Sequence, residues 1–327
     1  MTPELFLERN GYAAAARTPL AGDASFRRYE RLHGGPRPAL LMICGPQRDP
    51  LAPFLRIAAL LRGFGLSAPA VYAADEAAGL ALIEDLGDDT FTALFARGED
   101  ETALYRLAVA ALASLHRRPA PEGLAPWSHR AMAEAAAATL FDWWWPAMFG
   151  EPPAPAVRLG FAAAAAETLA PFAEDEPVLV HRDFHVDNLL RLDRPGVAAC
   201  GLLDFQDAGA GHRAYDVMSL LEDARRDVPP EVRRAALAHY LDESGRADQA
   251  RFLAAFAAHA ALRHARVAAL WTRLERRDGK TRYLRFAPRT WRLLERALAH
   301  PACAPLAAWF DAHIPRDRRR APGERAA

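Results

Sequence analysis

Three residues in the stretch Val178 to Ala208 could do chemistry together: Asp183, Asn188 and Asp204. Leu189 to Leu192 and Ala198 to Leu203 are short apolar-rich runs. Between them, Asp193-Arg194-Pro195-Gly196 is a turn signal. Antiparallel pairing of the two runs puts Asn188, just before the first, beside Asp204, just after the second. An amide oxygen next to a carboxylate is a hard-oxygen site suited to magnesium carrying phosphates. Asp183 precedes Asn188 on the loop entering the hairpin, where a carboxylate is placed to accept the proton of an attacking hydroxyl.

The order His181-Arg182-Asp183, Asn188, then Asp204-Phe205-Gln206 follows the H-R-D-x-x-x-x-N plus D-F-x layout of kinase-like phosphotransferases, with glutamine where protein kinases have glycine. An ordinary surface hairpin with polar ends is the plain alternative, and the correctly spaced second half argues against it. Zinc is the other: His181 and His185 are four apart, but Arg182 stands where an H-E-x-x-H site needs glutamate.

The 327 residues suffice for two lobes, and 51% are hydrophobic. The net charge of zero gives no bulk attraction to nucleic acid or to an anionic membrane. Lys280 is the only lysine among 41 basic residues. Cys44, Cys200 and Cys303 lie far apart, fitting neither a zinc cluster nor a disulfide framework. No signal peptide or apolar membrane span is evident, so a cytoplasmic location is expected.

The elements that must position the chemistry follow from periodicity. After a short helix over Thr2 to Asn10, strands are expected near Arg27 to Tyr29, at Pro38 to Cys44, Pro69 to Ala73 and Gly79 to Ile83, with a helix over Leu51 to Phe64. That is a small antiparallel β lobe, residues 1–86. Glu84 to Asp88 reads as a hinge whose exposed backbone, around Glu84 and Leu86, could bind an adenine edge. Residues 87–315 read as a larger, mainly helical lobe holding the hairpin. Residues 316–327 are expected to fray. Asp216 is placed to cap the helix that follows it. The block Trp143-Trp144-Trp145 suits lobe packing better than sugar stacking.

Together these features resemble the aminoglycoside phosphotransferase/choline kinase family over nearly the whole chain. The resemblance implies a bilobal, protein-kinase-like α+β fold, ATP and Mg2+ as cofactors, and phosphoryl transfer to a small molecule's hydroxyl. It makes Asp183 the base and Asn188 and Asp204 the metal ligands. Within that family, Ala21 to Tyr29 (AGDASFRRY), His181 to Asn188 with Asp204 to Ala208, and Arg273 to Leu284 with Pro288-Arg289 look like the N-acetylmuramate/N-acetylglucosamine anomeric kinases of cell-wall recycling. The implied product is the sugar 1-phosphate. Aminoglycoside, choline or homoserine kinases, or a weak nucleotide-binding pseudokinase, are the alternatives.

One departure matters. Protein kinases pair a strand lysine with a helix glutamate over the phosphates. The strand Pro38 to Cys44 has no lysine and the helix Leu51 to Phe64 has no glutamate. Ser25 and one of Arg27 and Arg28 are the expected substitutes; the two arginines alternate across a strand, so only one can face the nucleotide. His185, Gln206 and Asp207 are candidates for sugar hydroxyls. Arg273, Arg277, Lys280 and Arg282 are candidates for the carboxylate of N-acetylmuramate, with Lys280 preferred.

Overall fold

The computed structural model describes residues 1–20, 27–45, 50–245 and 248–323. The chain divides into two compact units, Met1–Ala111 with His185–Ala208, and Leu112–Phe184 with Gly209–Ala327.

The first unit is built on a five-stranded antiparallel sheet. Its spatial order is Ala16–Pro19, Arg28–His33, Ala39–Ile43, Leu80–Glu84, Val71–Asp75. The central strands, ALLMI and LALIE, are almost continuously apolar because both faces are covered. Leu41 packs with Phe6, Leu7, Tyr12, Leu32 and Leu82. Its neighbour Met42 points to the opposite face and is also fully buried. The edge strand Ala16–Pro19 was not expected. It is short, largely exposed and ends in proline, so it has no apolar alternation to betray it. Arg17 ties it to Glu30 on the next strand.

The hairpin forms as expected, with Leu189–Arg191 paired to Cys200–Leu202. It belongs to this first unit, and the reason is hydrogen bonding. Single bridges join Ser67 to Gly201 and Thr90 to Leu190. The Ser67 hydroxyl donates to the Ala198 carbonyl at 2.7 Å, and Arg194 donates to Ser67 and to the Glu84 carboxylate. The boundary expected at residues 84–88 therefore falls inside one compact unit rather than between two.

The second unit is mainly helical. Its spine is the 30-residue helix Gln249–Asp278, started by the Asp248 carboxylate on the Arg251 N–H and ended at Gly279, whose φ of +67° only glycine adopts easily. A three-stranded sheet of Pro126–Trp127, Gly209–Gly211 and Val178–Val180 sits in the same unit. The tryptophan block is packing, as expected. Trp144 is fully buried against Trp291, and Trp145 packs on Phe149. The expectation of a frayed tail from residue 316 does not hold as far as Gly323. Arg319 is buried and bonded to Glu295, Asp311 and the Ile314 carbonyl, and Trp144 donates to the Arg320 carbonyl. A further helix, Ala304–His313, precedes it. Among the described residues no helix is long and apolar enough to cross a membrane.

Candidate active site

In the first unit, register fixes the key pair. Leu189 opposes Leu202, and the Leu203 N–H donates to the Asn188 carbonyl at 2.9 Å. Asn188 and Asp204 therefore flank the same end of the hairpin, as the sequence implied. Asp204 is exposed, with φ of +58°. Only Arg182, at +74°, is the other non-glycine residue with positive φ among those described. Such strain is kept only where surrounding structure enforces it. Behind Asp204, Phe205 is fully buried and stacked on Phe54 with ring centroids 5.0 Å apart. Gln206 donates to the Asp204 carboxylate at 2.7 Å. Asp207 is exposed.

His185 is buried, its Nε2 3.3 Å from the Asn188 amide nitrogen. Its carbonyl accepts from the Asn188 N–H. The imidazole thus orients Asn188. Asp187 accepts from the Thr92 hydroxyl, which ties this loop to the helix Phe91–Ala96. Two oxygen donors, one amide and one carboxylate, at a solvent-facing hairpin end fit a magnesium ion. Among the described residues no group of three or more His, Cys, Asp or Glu is placed to hold a metal ion.

Arg27, just before the strand Arg28–His33, and Arg28 differ in burial. Arg27 is buried, its guanidinium 5.8 Å from the Phe54 ring centre, while Arg28 is exposed. The Tyr29 hydroxyl is pushed up to about 12 by burial, with the Asp204 charge raising it and the Arg27 charge lowering it. Arg27 and Asp204 thus both act on Tyr29. Ser25 lies outside the described residues. Met42 occupies the strand where a lysine would stand, and is fully buried. The Glu84 carboxylate is taken by Arg194 and the Ala70 N–H, and Leu86 is half-buried. Asp85 and Asp88 both grip Arg31, which pins the segment between them.

In the second unit, Asp183 follows a tightly held loop. The Asp216 carboxylate accepts the N–H groups of His181 and Arg182 at 2.6 and 2.9 Å. His181 is fully buried against Phe184, and its Nδ1 accepts the Asp183 N–H at 3.3 Å. The expected helix-capping role of Asp216 is therefore wrong. It sits inside the helix Ala214–Leu221, which has no side-chain cap, and serves the loop instead. Burial pushes the Asp216 carboxyl up to about 7, against the two N–H donors and the charges of Arg263 and Arg182. One acidic residue inside the apolar run AYDVMSLL was the available signal for this role. Arg182 lies over the Trp127 ring, 3.9 Å from its centre. Lys280 is half-buried just after the Gly279 cap, in this second unit.

Residues 16–253 match the model of the phosphotransferase enzyme family. The chain is 39% identical to an N-acetylmuramate/N-acetylglucosamine kinase of Caulobacter vibrioides, over 96% of each protein. It is 33% identical to one from Pseudomonas aeruginosa, over 91% of this chain and 88% of that protein. Among solved structures, choline kinase LicA from Streptococcus pneumoniae is similar with a TM-score of 0.62 at 13% identity, covering 90% of this chain and 98% of that one. The ADP-bound aminoglycoside phosphotransferase APH(2'')-Ib gives 0.58 at 15%, covering 91% and 99%. The α+β, protein-kinase-like fold, the catalytic-loop motif and the full-length likeness agree: the chain belongs to the phosphotransferase enzyme family and is an enzyme that moves phosphate to a hydroxyl acceptor.

Proposed function

We propose that this enzyme uses ATP and magnesium to phosphorylate the anomeric hydroxyl of N-acetylmuramate and N-acetylglucosamine. The product is the sugar 1-phosphate, formed in the cytoplasm during recycling of cell-wall sugars. The observation that supports the chemistry is the hairpin end, to which backbone register brings both Asn188 and Asp204. The likeness to the Caulobacter kinase carries the sugar.

In this reading Asp183 accepts the proton of the attacking hydroxyl. An anomeric hydroxyl is more acidic than an ordinary alcohol, so an ordinary carboxylate can serve. Asn188 and Asp204 would hold magnesium, which when bound offsets charge on the phosphate oxygens. Arg27 takes the place of the missing lysine, and Ser25 is assigned to the phosphates. The main chain around Glu84 and Leu86 meets the adenine, since the Glu84 carboxylate is already engaged. Gln206, Asp207 and Lys280 are assigned to sugar groups, and His185 acts through Asn188.

The test is incubation with ATP, magnesium and each sugar, with the product followed by phosphorus NMR. An acid-labile 1-phosphate is expected. An acid-stable 6-phosphate would show that a different hydroxyl reacts. Asp183→Asn should lower kcat by roughly 10²–10⁴-fold, the usual worth of a general base. Full turnover in that variant would remove Asp183 from the role.

A further inference from the structure

One stripe of the helix Gln249–Asp278 carries His259, Arg263, Arg266, Leu270, Arg273 and Arg277, at alternating spacings of four and three that keep them on one face. Three of its arginines differ from many others among the described residues. Several partly buried arginines elsewhere are paired: Arg17 with Glu30, Arg31 with Asp85, Arg194 with Glu84, Arg233 with Glu222, Arg319 with Glu295. Arg277 is paired with Asp278. The guanidinium groups of Arg263, Arg266 and Arg273 make no hydrogen bond or ion pair with any described residue. Arg263 is only 7% exposed, with a buried Nη1 that has no hydrogen-bond partner. The Nε of Arg273 is buried in the same condition. Arg266 has only the Trp127 ring, 5.8 Å away. Burial and repulsion from Arg277 and Arg266 hold the Arg273 guanidinium below its ordinary range.

Gathering unpaired guanidinium groups while removing them from water is costly, and a bound anion would offset the cost. The stripe runs beside the loop that presents Asp183, since Trp127 meets both Arg266 and Arg182 and Asp216 feels both Arg263 and Arg182. We infer that Arg266 and Arg273, both half-buried and within reach of solvent, form a subsite for a carboxylate on the acceptor sugar, with the buried Arg263 a positioning residue behind them. This rests on the proposed sugar kinase function and deepens it. The structure assigns the role of charge reader to these arginines, ahead of Lys280.

N-acetylmuramate and N-acetylglucosamine differ by one lactyl ether with its carboxylate, so their ratio of kcat/KM isolates the subsite. Each is measured on the same preparation of wild type, Arg266→Gln and Arg273→Gln, which makes the ratio independent of the fraction folded. The muramate-to-glucosamine ratio is expected to fall about tenfold or more in each variant, the worth of a charged hydrogen bond, mainly through the muramate KM. Arg273→Lys should recover part of the ratio. An unchanged ratio, or equal losses on both sugars, overturns the inference while leaving the sugar kinase function standing. Absence of turnover of either sugar by wild type overturns that function, and this subsite with it.

Discussion

Two N–H groups ending on one buried carboxylate make Asp216 a positioning residue for the loop that the proposed function makes catalytic. Asp216→Ala would leave both donors without an acceptor, at about 1–3 kcal/mol each. A lowered denaturation midpoint together with a lower kcat is expected, because the loop carries Asp183. Wild-type stability in this variant would refute the anchoring role. The arginine pair offers a second test at this scale. Arg27→Ala should weaken ATP binding, and Arg28→Ala should leave it near wild type, since Arg27 is buried beside Phe54, which stacks on Phe205, and Arg28 is exposed. Calorimetric titration with ATP separates them, and equal effects would undo the assignment.

At the scale of elements, the strand Gly209–Gly211 shows why small residues recur after the catalytic motif. A Cβ at Gly209 would stand 2.6 Å from the Ala125 carbonyl oxygen, and one at Gly211 would stand 2.9 Å from Val180. Gly209→Ala should cost roughly 1–3 kcal/mol, because backbone cannot yield as a side chain can. Its effect is read from urea denaturation, where an unshifted midpoint would mean that the sheet adapts. This strand was not legible in the sequence. Three residues with two glycines give no alternation, and its partner strands are equally short. The long elements were legible, because PALLMIC and the Gln249–Asp278 helix bury enough apolar surface to impose their periods. The hairpin was legible through its turn chemistry and its apolar runs. Its bonds to Ser67 and Glu84 were not, since serine, glutamate and arginine carry no mark of a partner more than a hundred positions away. Asp216 was misread for the same reason. A carboxylate early in a helix looks like a cap until its distant partners are known.

For the molecule as a whole, three imidazoles set a dependence on acid. His212 stacks on His259 at 4.4 Å between centres, and His129 meets His259 at 5.2 Å. Asp175, Arg213, Asp248 and Arg251 surround the cavity of about 170 Å³ that His212 lines. Burial pulls His212 down to about 4 from 6.5, against the pull of Asp175, and lowers His129 and His259 as well. The unfolded chain takes up these protons near 6.5, and the folded chain takes up that of His212 only near 4. Stability from His212 is therefore present above pH 6.5 and lost as pH falls toward 4, by about 3 kcal/mol at roughly 1.36 kcal/mol per pH unit. Asp216, raised to about 7, acts in the opposite direction between its unfolded value of 3.8 and 7. Comparison of His212→Gln with wild type at pH 7 and pH 5 isolates the imidazole. The variant should lose less stability on acidification, and parallel losses would rule the cluster out. Removal of residues 316–327 should also lower the melting temperature by several degrees, since Arg319 and the bond from Trp144 to Arg320 go with them. An unchanged melting temperature would show the tail to be dispensable.

The solitary lysine has a practical consequence. Lys280 follows the Gly279 cap at the end of the helix that bears the arginine stripe. Every other basic side chain among the 41 is arginine, so an amine-selective dye has one internal target besides the chain's α-amino group. A single probe there would test, by whether its emission changes, if a sugar reaches the helix, without any engineered cysteine.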